Sequence, residues 1–80
     1  MEYSYNYNVV KIHEEEKYAA AIRADKEDIC RTLAGVWTND YNAAGLKNIH
    51  FEAVPSDRYD AMVDTERRGG KSVYEQIKGL

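Results

Sequence analysis

The sequence predicts a small α+β domain of element order ββαββα, an antiparallel sheet with both helices packed on one face. Three observations carry this. Residues 25–37 have a clear helical period, four other stretches alternate apolar and polar residues, and short turn-forming segments separate most of them. Eighty residues leave room for one core, so 1–80 reads as a single domain.

Glu2 to Ile12 reads as the first strand. Tyr3, Tyr5, Tyr7 and Val9 fall on one face, and Ser4, Asn6, Asn8, Val10 and Ile12 on the other. Apolar character changes sides at Val9-Val10. A bulge there would turn both halves to the core; without one, Val10 and Ile12 point inward and the Tyr residues form a stripe on the opposite face. His13-Glu14-Glu15-Glu16 is a polar connection, and Lys17 to Arg23 a second strand with Tyr18, Ala20 and Ile22 on one face. The helix follows. Asp25 is its expected N-cap, Ile29, Leu33 and Trp37 recur every four residues, and Cys30 and Ala34 lie beside them. Glu27 and Arg31 form an i,i+4 pair in the favourable order. The helix is expected to end between Gly35 and about Tyr41, and Gly45 to close the loop.

Asn48 to Val54 alternates as a third strand, and Pro55-Ser56-Asp57 is a turn. Arg58 to Thr65 fits two periods. Tyr59, Ala61 and Val63 alternate as in a strand, while Tyr59, Met62, Val63 and Glu66 fit a helix capped by Ser56. The short turn favours the strand, completing a hairpin. Ser72-Val73-Tyr74-Glu75 is a capping box that opens a final helix with Val73, Ile77 and Leu80 on one side.

Composition limits the function. A hydrophobic fraction of 44% and a charged fraction of 31% argue for a folded domain rather than a disordered one. A net charge of −3 argues against strong non-specific binding to nucleic acid or anionic membrane. The single Cys permits no internal disulfide. The N-terminus lacks a signal-peptide pattern, and no apolar run approaches a membrane span, so a cytoplasmic location is expected.

The strongest site candidate is the ladder of Tyr3, Tyr5 and Tyr7, drawn from seven Tyr in a chain with one Phe and one Trp. On an open sheet face it would suit a partner protein or a second copy of the chain. The competing reading makes these Tyr residues the core face of the strand. Glu14, Glu15 and Glu16, with Asp57, Asp60 and Asp64, could steer a basic partner surface, or simply form solvated turns.

Arg67-Arg68-Gly69-Gly70-Lys71-Ser72 lies between a strand and a helix, the setting of a phosphate loop G-x-x-x-x-G-K-[ST]. Thr65 stands where that pattern needs its first Gly, and no second strand ending in a metal-binding Asp follows. A weaker anion or nucleic-acid site on Arg67, Arg68, Lys71 and Ser72 survives as the alternative, with Tyr59 or Tyr74 for stacking. Cys30 and His50 could form a nucleophile–base pair only in contact, and Cys30 sits on the apolar helix stripe. No metal-ligand spacing and no cofactor motif is present. The expected function is therefore non-enzymatic. It is a small intracellular binding protein acting by protein–protein contact, such as an inhibitor or adaptor carried by a phage or mobile element. Another protein is the expected partner, a homodimer is plausible, and nucleic acid ranks below both.

Overall fold

The computed structural model describes residues 5–79, and Tyr3 and Leu80 lie outside them. The described elements are β1 (Tyr7–His13), β2 (Tyr18–Asp25), α1 (Glu27–Ala43), β3 (Ile49–Pro55), α2 (Ser56–Arg67) and α3 (Val73–Lys78). The three strands form an antiparallel sheet in the order β2-β1-β3. The architecture is thus α+β, but its order is ββαβαα rather than ββαββα.

The helices cover both faces of the sheet, not one. Val9, Ile49 and Phe51 pack under Cys30 and Ala34 of α1. Val10, Ile12, Ala19 and Val54 pack on the other face against Met62 of α2 and Val73 and Ile77 of α3. This explains the change of sides at Val9-Val10. β1 is the central strand, each of its faces meets a helix layer, and both valines are 0% exposed. β1 itself pairs with β3 without interruption. The irregularity lies in β2, where Val9 pairs with Arg23 and Val10 with Ala21, leaving Ile22 as the extra residue.

Arg58 to Thr65 lies in α2, which corrects the expected fourth strand. A strand face of Tyr59, Ala61 and Val63 would bury the small Ala61 and turn Met62 outward between two aspartates. The helical period instead sends Met62 into the core, with Tyr59 and Val63 beside it, and leaves Asp60, Ala61 and Asp64 in solvent. Pro55 ends β3 and is at once the N-cap of α2, so no hairpin turn intervenes.

Lys26, not Asp25, is the N-cap of α1. Asp25 closes β2, where its carboxylate accepts hydrogen bonds from the Lys26 amide at 2.8 Å and from Arg23 Nη2 at 2.9 Å. Those bonds, the Lys26 amide first, hold its pKa below the usual Asp value. α1 passes through Gly35 and ends in a Schellman turn. The Leu46 amide donates to the Tyr41 carbonyl and the Gly45 amide to that of Asn42, with Gly45 at φ +93°. α2 ends the same way, through Gly69 and Gly70 back to Glu66 and Thr65. α3 carries the expected capping box of Ser72 and Glu75. Gln76 Nε2 ties α3 to α2 by donating to the Met62 and Lys71 carbonyls, both at 2.9 Å.

Both edges of the sheet carry a side-chain hydroxyl on an outward-facing backbone group. On β3, the Phe51 amide donates to Thr38 Oγ1 at 2.8 Å, and the same hydroxyl reaches the Phe51 carbonyl at 3.4 Å. On β2, the Ala21 amide donates to Tyr59 Oη at 3.1 Å. These contacts blunt each edge against pairing with another strand. Thr38→Val should cost about 1–3 kcal/mol and Tyr59→Phe about 1 kcal/mol, because each leaves a backbone group without its partner. Urea midpoints measure the loss. Amide exchange at Phe51 and Ala21 should accelerate, and unchanged exchange at both would refute the edge-cap assignment.

Candidate interaction surface

Among the described residues, those singled out from sequence do not converge on one site. Tyr5 precedes β1 and is exposed, with its carbonyl accepting from Ser56 Oγ at 3.2 Å. Tyr7 is half-buried beside α1, with the Arg31 guanidinium 5.8 Å from its ring centre. α1 covers the face that Tyr7 occupies, and Tyr3 lies outside the described residues. Glu15 and Glu16 stand exposed in the β1–β2 turn.

Glu14 has a structural role. Its carboxylate accepts from Tyr74 Oη at 2.6 Å and from Lys78 Nζ at 2.8 Å, binding α3 to the end of β1. His50 Nδ1 lies 3.6 Å from the same carboxylate. The Lys78 and Tyr74 hydrogen bonds hold the Glu14 pKa below the usual Glu value, and the Tyr74 hydroxyl is pushed up in turn. A depressed carboxylate stabilises the fold at neutral pH and ceases to do so as pH falls through its folded-state value.

The cations of the Arg67–Lys71 loop are separated. Arg67 and Ser72 line a cleft of about 290 Å³ between β2 and the two C-terminal helices, together with Lys17, Tyr18 and Tyr59. Lys71 instead borders a groove between α2 and α3, beside Arg58. The amides that an anion would need are already bonded to the protein's own carboxylates. The Val73 amide donates to Glu66 Oε1 at 2.8 Å and the Ser72 amide to Glu75 Oε1 at 3.1 Å. Cys30 and His50 lie on opposite faces of the sheet. Burial pushes the Cys30 thiol up, away from the reactive thiolate. Among the described residues, no group of three or more His, Cys, Asp or Glu could hold a metal ion, and no helix is long and apolar enough to cross a membrane.

A different surface stands out. α1 lies over β3 and β1 and touches β2 little. Its sheet-facing stripe is Cys30, Ala34, Trp37 and Tyr41, with the two small residues allowing close approach. Thr38 turns toward β3. Ile29 and Val36 occupy the opposite flank, and Leu33, half-buried against the core, lies between them and the stripe. Ile29 is 37% exposed, Val36 47% and Ile22 of β2 49%. Ile22, Trp37, Tyr41 and Phe51 line a shallow cavity of about 220 Å³. The outcome is an apolar strip formed by one helix flank and the bulged edge strand. The four-residue spacing of Ile29, Leu33 and Trp37 predicts all three on the buried face; Leu33 and Trp37 do pack against the core, while Ile29 is turned outward. The position of Thr38, which fixes the rotation of α1, was the signal that could have separated them.

No family model matches this chain, and neither the curated proteins nor the solved structures compared with it contain a match.

Replacing Glu14 by Gln should flatten the fall in melting temperature as pH drops from neutral through and below the ordinary Glu value of 4.5, because the carboxylate whose pKa the fold holds down is gone. The wild-type chain should lose stability over that window and the variant should start lower at pH 7. Parallel melting curves for the two proteins would contradict the assigned role of Glu14.

Proposed function

We propose that this protein is a small cytoplasmic binding protein that works by occupying a surface of another macromolecule, without catalysis. An inhibitor or adaptor of the kind carried by phages or mobile elements is the concrete form, in keeping with its size and acidity. The observation that carries the reading is the apolar strip of Ile22, Ile29 and Val36, which the fold leaves in solvent beside the half-buried Leu33 and Trp37. Exposed branched side chains next to a half-buried Trp have the composition of an interface centre, where a few apolar and aromatic anchors supply most of the affinity. Acidic groups at Asp28 and Asp40 form a charged rim. Glu14 to Glu16, expected from sequence to meet the partner, lie at the opposite end of β1 from the start of α1, where Glu14 bonds α3.

The alternative, an anion- or nucleic-acid-binding module on Arg67, Arg68, Lys71 and Ser72, draws on the Lys17–Arg67 cleft alone. The bonded amides at Ser72 and Val73 weigh against it.

Capture from host lysate by a tagged chain, with an untagged copy co-expressed and with and without nuclease, tests the reading. A stoichiometric protein band that resists nuclease is expected. Val36→Asp, at an exposed position that should leave the melt intact, should weaken it by about tenfold or more. Equal recovery by wild type and variant would remove the strip from consideration. Recovery that disappears with nuclease would turn the assignment to the basic loop.

A further inference from the structure

We propose that a second copy of this chain occupies the α1 part of the strip, the two α1 helices crossing antiparallel at Leu33. The proposal rests on the reading of the strip as an interface and names its occupant. Lys26, Ile29, Leu33, Val36 and Asp40 follow one another at alternating intervals of three and four. That is the spacing of a helix–helix seam, and it lies on the flank of α1 turned away from β3. Its centre is apolar. Its two ends carry opposite charges, each the same distance in sequence from Leu33.

This symmetry selects the partner. A two-fold axis through Leu33 brings Lys26 of each copy beside Asp40 of the other, so the charge pair forms twice. A parallel arrangement would set Lys26 against Lys26 and Asp40 against Asp40. The described ion pairs of the monomer, Arg23–Asp25, Arg31–Glu27, His50 with Glu14 and Glu52, and Lys78–Glu14, use neither Lys26 nor Asp40. Both are exposed. The contact is isologous and therefore closes at two copies. Strand pairing is the other route to self-association, and the Tyr59 and Thr38 hydroxyls oppose it at Ala21 and Phe51. Ile22 and Trp37 border the seam and widen the apolar area. One helix flank with this border is a small interface, so the dimer forms in the micromolar range.

Sedimentation velocity on the purified full chain, from about 10 μM to about 1 mM, tests the proposal. The expected result is a mass that rises from monomer to dimer. Val36→Glu, at an exposed position of the seam, should hold the chain monomeric throughout. Lys26→Asp and Asp40→Lys should each raise the dissociation constant by about tenfold, because each turns two attractive pairs into repulsive ones. The double variant, and an equimolar mixture of the two single variants, should restore the dimer. Both single changes favour the helix through its macrodipole, so loss of dimer with an unchanged melt reports on the contact and not on folding. A monomer at about 1 mM overturns the proposal, as does a dimer indifferent to Lys26→Asp and Asp40→Lys. If the purified chain is monomeric while Val36→Asp still abolishes capture of a nuclease-resistant protein, the second copy is refuted and the binding reading stands. If neither the dimer nor the capture is found, both fall.

Discussion

The structure depends on the double burial of β1. Val9 and Val10 point to opposite faces of the sheet and both are fully buried, so this one strand is the floor of two cores. A chain of this length cannot surround a thick core. It instead forms two thin apolar layers, α1 on one side and α2 with α3 on the other. The helix layers and the two edge strands are all positioned relative to β1. A three-stranded sheet supplies little area on each face. Side-chain economy follows: Cys30 and Ala34 let α1 approach closely, and Ala19 and Ala21 line the other side of β2.

The same constraint leaves an apolar flank of α1 uncovered. One helix of ordinary width cannot cover three strands. α1 is drawn over β3 by the Trp37 and Tyr41 contacts with the Phe51 ring, at 5.7 and 5.0 Å between centres, and by Thr38 on the Phe51 backbone. β2 is left at the margin, its bulge turning Ile22 outward. The uncovered apolar flank is thus a consequence of where the helix is anchored. Anchoring to β3 also fixes which residues of α1 form the exposed seam.

Polar contacts do the complementary work of closing the structure. Glu14 joins the first turn to α3, Gln76 joins α3 to α2, and hydroxyls of Thr38 and Tyr59 finish the two sheet edges. Most of these link residues far apart in the chain, and Glu14–Lys78 spans nearly all of it. The basic loop is closed in the same manner, since Glu66 and Glu75 bond the amides that would otherwise face an anion.

Local patterns in the sequence determined the first three strands, the α1 region, the α3 capping box and the Gly45 turn, because alternation, capping residues and left-handed glycines act over a few residues. Arg58 to Thr65 carried two periods at once, and tertiary burial of Met62 resolved them in favour of helix. The placement of helices on both faces was also undecidable from local pattern: Val9-Val10 fits a bulge, a one-sided strand or a two-sided one equally well. The rotation of α1 was decided by Thr38 meeting Phe51, thirteen residues away. That contact turned Ile29 out of the expected core stripe while Leu33 stayed half-buried against it, and a periodicity cannot say which of two adjacent apolar faces will meet the sheet.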